Sequence, residues 1–302
     1  MKTTLTINNQ DVQVKLRGEE SLLETLRSLG YLSVKSGGCV KGECGACTVL
    51  MDGRPINACM FKTMQLGGHK IETVEHQGTY PAKGWKENQG YSVLQKAFID
   101  SGAIQCGYCT PAMILAAQSL LKDNPDPSES EVRKALSGII CRCTGYVKPV
   151  QAILQAARVL RDSGKSTEFP STPSYVLGEI PNMVTVGKPE AKVDASKLAL
   201  GNAAFTADLQ LPGTLYAKVL RSPYAHAEIK AIRTEKAKAL PGVAAVLTWE
   251  DLPRVVYSTA GQSDPIPGPL DMFSLDHRVR FVGDRVAFVA AETPQIAETA
   301  LK

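Results

Sequence analysis

The residues of this 302-residue chain with the clearest chemical purpose are its eight cysteines, all between Cys39 and Cys143. The first four run Cys39-x4-Cys44-x2-Cys47, with Cys59 further on. That is the plant-type spacing for a [2Fe–2S] cluster. Four thiolates must converge on two irons from one tight loop and one neighbouring strand, and the negative cluster then wants backbone N–H donors around its sulfurs. A loop that turns its amides inward needs left-handed backbone and little bulk, which Gly37, Gly38, Gly42 and Gly45 supply. Structural zinc is the rival. Zinc sites usually pair two C-x2-C knuckles, and here only Cys44 and Cys47 have that spacing.

The second four read Cys106-x2-Cys109 and Cys141-x-Cys143. Both pairs fall at helix boundaries: Cys109 precedes Thr110-Pro111 at the start of one helix, and Cys141 and Cys143 follow the end of another. Helix N-termini offer free N–H groups and partial positive charge, which favour thiolates. Spacing alone leaves this set open between a second [2Fe–2S] cluster and zinc. Disulfides are not the expectation for either set. The opening MKTTLTINNQ has no apolar run of a secretory signal, so a cytoplasmic protein with reduced thiols is expected. No apolar window approaches a membrane span. The net charge of +4 is scattered, with no basic stripe, which excludes a nucleic-acid partner.

These cysteines need three blocks to position them. Residues 1–77 open with alternating runs Thr4–Asn8 and Val12–Leu16 around Asn9-Gln10-Asp11, a hairpin signal. Ser21 and Glu24 form a capping box ahead of LLETLRSLG, closed by Gly30. TVLMDGRPINACMF reads as strand, Asp-Gly turn, strand, and KIETVE as a last strand. Residues 78–162 carry four helical patterns: LQKAFIDSG, PAMILAAQSLLKD with Pro111 in its first turn, SESEVRKALSG capped by Ser128 and Glu131, and VKPVQAILQAARVLRDSG. Gly138 and Gly164 read as C-terminal stops. Residues 163–182 read as a surface linker rich in Ser, Thr, Pro and Gly. In 183–302, TLYAKVLRS and GVAAVLT read as strands, TEKAKALPG as a short helix, RVRFVGDRVAFVAAE as two strands joined at Gly283-Asp284, and PQIAETALK as the start of a helix.

CVKGECGACTV, QCGYCTPAMI and LSGIICRCTGY, in that order, resemble the iron–sulfur part of the xanthine dehydrogenase and aldehyde oxidoreductase family of molybdenum hydroxylases, as does the helix around Leu94–Phe98. VGKPEAKVDASKLALGNAAFTADL, LYAKVLRSPYAHAEIKAI, LPGVAAVLTWEDLP and VRFVGDRVAFVAAET resemble the opening of its molybdopterin-binding polypeptide. The resemblance implies an α+β chain. A ferredoxin-like β-grasp domain (1–77) holds one [2Fe–2S] cluster and a four-helix-bundle domain (78–162) the other. After the linker comes the beginning of a mixed α/β hammerhead domain (183–302), expected to be incomplete.

By the same resemblance both cysteine sets bind [2Fe–2S]. Gln105 and Cys143 contact the pterin, and Cys143 is where electrons enter. Molybdopterin belongs to the assembled enzyme, with the remaining molybdopterin-binding polypeptide as partner and a dimer or larger oligomer as the assembly. No flavin domain separates the second and third blocks, so FAD would come only through a partner subunit, with an external acceptor as the alternative. The family oxidises purines, N-heterocycles or aldehydes with oxygen from water. This chain alone is expected to carry electrons and to hold no catalytic residue, since its sequence stops before the family's catalytic glutamate.

Other residues have blander readings. Arg142, between two ligands, could balance cluster charge or simply be solvated. His226 in SPYAHA reads as structural, and His69, His76 and His277 have no metal-ligand spacing. Lys41 and Glu43 read as exposed charges able to meet an electron acceptor. No hydrolase elbow or phosphate loop occurs. A free-standing ferredoxin-like carrier is the alternative function, disfavoured by the length of chain after the linker. A zinc-stabilised interaction module is a third reading.

Overall fold

The computed structural model describes residues 2–16, 18–77, 90–162, 192–209, 211–258 and 270–302, in two compact units that divide between Leu209 and Gln210. The first unit begins with a hairpin, β1 (Lys2–Ile7) and β2 (Gln10–Lys15). Its turn is Asn8-Asn9, both left-handed at φ 49° and 63°, one residue earlier than the sequence suggests. Asparagine tolerates this conformation, and two such residues match the twist of the paired strands. Helix α1 (Leu22–Ser28) starts with the expected Ser21–Glu24 capping box. Strands β3 (Thr48–Met51) and β4 (Arg54–Asn57) flank Asp52-Gly53, and β5 (Lys70–Glu72) comes next. The sheet order is β2-β1-β5-β3-β4, with β1 and β5 parallel. Leu5, Ile7, Leu22, Leu26, Val49 and Ile71 form its core against α1.

Four helices succeed the sheet: α2 (Val93–Asp100), α3 (Thr110–Asp123), α4 (Glu129–Leu136) and α5 (Val147–Arg161). Ser92 and Gln95 add a capping box at α2, and Ser128 with Glu131 forms the expected one at α4. Helix α3 packs on β3 and β4, so Leu50 and Val74 share one core with Phe98, Met113, Ile114, Leu115 and Ile153. The sheet and the helices are therefore one folded body. Gly138 is not a left-handed stop for α4. Ser137 caps that helix in right-handed backbone at φ −62°. Gly164 and the linker 163–182 lie outside the described residues.

A further helix, α6 (Ala195–Ala199), buries Ala195, Leu198 and Ala199 in the same core. The sequence reading begins the third block at 183, but 192–209 pack with the first unit. The reason is partly charge. Asp208 is buried and faces Arg27 of α1 at 3.0 Å and Lys35 at 3.4 Å. It also accepts backbone N–H groups of Ala204 and Phe205 at 3.1 and 3.2 Å.

In the second unit, β6 (Tyr216–Arg221), β8 (Val243–Leu247) and β10 (Arg285–Ala291) form an antiparallel sheet with β10 central. Helices α7 (Glu235–Lys238) and α8 (Pro294–Ala300) pack on it around Val246, Val289 and Ala297. Strands β7 (Ala227–Glu228) and β9 (Arg278–Val279) pair separately. The two strands around Gly283-Asp284 thus belong to different sheets. The Asp284 carboxylate accepts the N–H of Arg280 at 3.0 Å and of Arg285 at 2.9 Å, which turns the chain out of one sheet into the other.

Asp276 anchors this unit. Burial alone would raise its carboxyl, but hydrogen bonds from Arg254 and Arg280, both 2.8 Å, outweigh that and hold its pKa at about 2. A depressed carboxylate stabilises the fold above its unfolded pKa and loses that effect as pH falls through the folded value. With both arginines partly exposed, the effect is about 1–2 kcal/mol, roughly half of it gone by pH 3. Asp276→Asn is expected to lower unfolding free energy by that amount at pH 7 and by clearly less at pH 3, read by urea titration at both values.

Candidate metal centres

The loop from Gly37 to Cys47 presents the first thiols. Cys39 Sγ accepts backbone N–H groups of Lys41, Glu43 and Cys44, each at 3.3 Å, and the Cys39 N–H points to Cys44 Sγ at 3.5 Å. Val40, Gly42 and Gly45 are left-handed at φ 48°, 79° and 68°, which turns those amides inward. Gly38 is required by space: a β-carbon there would stand 2.6 Å from Cys44 Sγ. Cys59 lies in a 3-10 turn (Ala58–Met60) after β4, not in the strand itself. The Ala58 N–H donates to the Cys47 carbonyl at 3.2 Å, setting Cys59 beside Cys47. Asn57 ties β4 to the loop through the Gly42 carbonyl at 2.8 Å.

The second set comes from two loops. Cys106 and Cys109 precede α3, and Cys141 and Cys143 lie between α4 and α5. Cys106 lies within reach of Cys143, and Cys109 within reach of Cys141. Tyr146 organises the latter loop. Its hydroxyl donates to the Ile139 carbonyl and accepts the Cys141 N–H, both 2.9 Å. Its own backbone is left-handed at φ 65°. Thr144 Oγ1 lies 3.2 Å from Cys141 Sγ. Sequence reasoning gave Tyr146 no role, because nothing in its type or spacing reports a hydroxyl folded back over the preceding loop.

The electrostatics of the thiols differ. The N–H groups of Lys41 and Cys44 pull Cys39 down to about 7. Burial pushes Cys47 up to about 12, and pushes Cys106 and Cys109 up as well. Burial opposes ionisation of Cys141, but Thr144 outweighs it and the thiol sits below its usual range. Crowded, buried thiolates of this kind persist when a cation shares them. All eight cysteines are free of disulfides. Among the described residues no three Cys, His, Asp or Glu side chains are grouped as a single ion would hold them. The thiol donors, inward amides and cramped glycines of the first loop fit a bound iron–sulfur cluster, and the paired thiols of the second set do so too.

The two sets meet directly. The Ile140 N–H donates to the Cys44 carbonyl at 2.9 Å. A β-carbon on Gly45 would fall 2.1 Å from the Gly138 carbonyl oxygen. Tyr108, between Cys106 and Cys109, reaches the first loop from the other side: a β-carbon on Gly37 would fall 2.8 Å from its hydroxyl. Burial raises the Tyr108 phenol, and nearby Cys44 adds to this against the Gly37 backbone and Arg27. Gln105, Cys106, Arg142 and Cys143 form an exposed edge, whereas Cys109 is buried. Lys41 and Glu43 are exposed on the first loop. His226 is exposed, His69 bonds Asp52 at 2.6 Å, and His277 lies 2.9 Å from Asp276.

Such an arrangement fits an iron–sulfur protein, and the comparisons with known proteins point the same way. Residues 82–154 match the [2Fe-2S] binding domain family, and 200–302 match the aldehyde oxidase and xanthine dehydrogenase a/b hammerhead domain. The nicotinate dehydrogenase small FeS subunit of Eubacterium barkeri is 42% identical over 153 residues, 50% of this chain and 92% of that protein. "Probable hypoxanthine oxidase XdhD" of Escherichia coli (strain K12) is 33% identical over 297 residues, 98% of this chain but 30% of that protein. The crystal structure of aldehyde oxidoreductase from Desulfovibrio desulfuricans ATCC 27774 superposes with a TM-score of 0.83 at 33% identity, covering 100% of this chain and 33% of that one. The chain belongs to the xanthine dehydrogenase and aldehyde oxidoreductase family. It spans about a third of the length of these larger relatives. Among the described residues no helix is long and apolar enough to cross a membrane.

Two glycines separate conformation from crowding. Gly45→Ala meets a left-handed φ and a backbone oxygen together, and is expected to cost roughly 3 kcal/mol. Gly30→Ala, at φ 91° with open space around it, is expected to cost about 1 kcal/mol. Thermal unfolding should rank them in that order, and iron retained per chain should fall only in Gly45→Ala.

Proposed function

We propose that this chain is the iron–sulfur electron-transfer part of a molybdenum hydroxylase. The observation that carries the reading is the meeting of two four-cysteine sets in one folded unit, through the Ile140–Cys44 hydrogen bond. Cys39, Cys44, Cys47 and Cys59 would hold one [2Fe–2S] cluster, and Cys106, Cys109, Cys141 and Cys143 the other. The four thiols of the second set lie within reach of one another, and the match of residues 82–154 to the [2Fe-2S] binding domain supports iron–sulfur over a single zinc there. When bound, the clusters supply one-electron relay from a molybdopterin centre to an external acceptor or a flavin subunit, the one at Cys143 being nearer the pterin.

The chain's own residues ligate, space and tune. The amides of Lys41, Glu43 and Cys44 offset negative charge on the first centre. Tyr146 and Thr144 fix the second loop. The exposed edge at Gln105 and Cys143 is suited to pterin contact, and Lys41 and Glu43 to meeting an acceptor. Activation of substrate and water belongs to the molybdopterin-binding polypeptide, and the substrate is set there. A purine, an N-heterocycle or an aldehyde remains the expected class.

Iron, zinc and acid-labile sulfide per chain, with EPR after dithionite, test this on anaerobically purified protein. Four irons, four sulfides and two distinct [2Fe–2S] signals are expected; zinc without sulfide or signal would overturn the reading. In the assembled enzyme Cys143→Ser is expected to block substrate reduction of the other centre. An unchanged rate there would disprove the electron order.

A further inference from the structure

Tyr108 stands between the two cysteine sets, and the proton of its hydroxyl is left without an acceptor among the described residues. The oxygen is fully buried, and the Gly37 backbone N–H lies against it. A buried hydroxyl whose proton goes unpaired keeps the desolvation penalty and gains nothing in return. It should therefore be rare unless something else receives it. Its surroundings identify the receiver. A β-carbon on Gly37 would fall 2.8 Å from this hydroxyl, and one on Gly38 would fall 2.6 Å from Cys44 Sγ. The Tyr108 oxygen and the Cys44 sulfur thus flank the same Gly37-Gly38 step. Neither glycine sets a side chain against the Tyr108 oxygen or the Cys44 sulfur.

The ring is held in place. Phe205 meets it edge-on, with centroids 5.1 Å apart and planes at 75°. Phe205 is fixed in turn by Asp208, which accepts its N–H at 3.2 Å and is anchored on Arg27 and Lys35. Lys35 Nζ also lies 4.7 Å from the Phe205 centroid. A rotamer imposed this firmly keeps the hydroxyl aimed at the first loop, although Tyr108 belongs to the second.

We infer that the Tyr108 hydroxyl donates a hydrogen bond to a sulfur of the centre held by Cys39, Cys44, Cys47 and Cys59. It thereby raises the reduction potential of that centre relative to its neighbour. The inference rests on the cluster assignment proposed above. A donor to a cluster sulfur stabilises the more negative, reduced state, and hydrogen bonding to the sulfurs is one of the levers that set such potentials. The second set supplies the residue and the first set feels it, so the bias between donor and acceptor is built into the junction.

The test is a redox titration of the full chain followed by EPR, with Tyr108→Phe against the unaltered protein. The expected result is two full-strength signals, one of them shifted to more negative potential and the other unmoved. Loss of one exchangeable-proton coupling from the shifted signal should accompany it. Stability should change little, because the substitution removes one hydroxyl and leaves the ring and its packing on Phe205 in place. Phe205→Ala, which frees the ring, should shift the same centre in the same direction. Two full-strength signals with unchanged potentials in Tyr108→Phe would overturn the inference and leave the relay reading standing. Failure of the unaltered protein to show two signals would instead sink the cluster assignment on which both rest.

Discussion

The hydrogen bond from the Ile140 N–H to the Cys44 carbonyl, with the Gly45 backbone pressed against Gly138, is the contact on which the unit depends. It joins a cysteine of the first set to the residue just before a cysteine of the second. Everything around it is arranged to allow it. Gly45 is left-handed and has no β-carbon because a backbone oxygen occupies that space. Helix α4 ends in right-handed backbone, so the chain runs on from Ser137 toward the first loop instead of turning away. Tyr146 then binds Ile139 and Cys141 on either side of the junction. Backbone-to-backbone contact fixes a separation better than side chains do, because it leaves no rotamer to hop. A protein whose contribution is to position redox groups needs that kind of rigidity.

The periodic and capped elements were legible in the sequence. Both capping boxes expected from it are present, and Asp52-Gly53 turns β3 into β4 as the dipeptide suggests. The glycines of the first cysteine loop were also legible as a group, since inward amides call for them. What each one does was not. Gly38 makes room for a sulfur, Gly45 for a carbonyl oxygen, and Gly37 for a tyrosine hydroxyl. Those are contacts between segments distant in sequence, and a single chain read locally carries no sign of them.

The misreadings have the same origin. Gly138 resembles a helix stop, but its role comes from a loop that arrives from elsewhere. Gly283-Asp284 resembles a hairpin turn, but the flanking strands pair with β7 and with β6 and β8. Local turn chemistry says that the chain reverses, not which strand it then pairs with. The stretch 192–209 reads as part of the third block because composition changes at the linker. Its helix is too short to announce a buried face. Its attachment rests on Ala195, Leu198 and Ala199 and on one aspartate, Asp208, in a segment otherwise poor in signal.

That aspartate raises the question of why a charge is buried there at all. A buried ion pair is weak evidence for stability, since desolvation offsets much of the attraction. Burial acts against the charge on both Asp208 and Lys35; Lys35, Arg27 and two backbone amides together hold Asp208 below its usual range, while Arg27 works against the charge on Lys35 that Asp208 supports. An apolar replacement could hold the segment as tightly. It could not hold it in one register, because apolar surfaces slide where hydrogen-bonded charges do not. Register is what the neighbouring stack requires. Phe205, three residues before Asp208, must land on the edge of the Tyr108 ring. A shift of one residue would carry it elsewhere, and the tyrosine would lose the wall that aims it. The buried charges are thus better understood as a locating device for the aromatic contact between the two cysteine loops than as a source of folding energy.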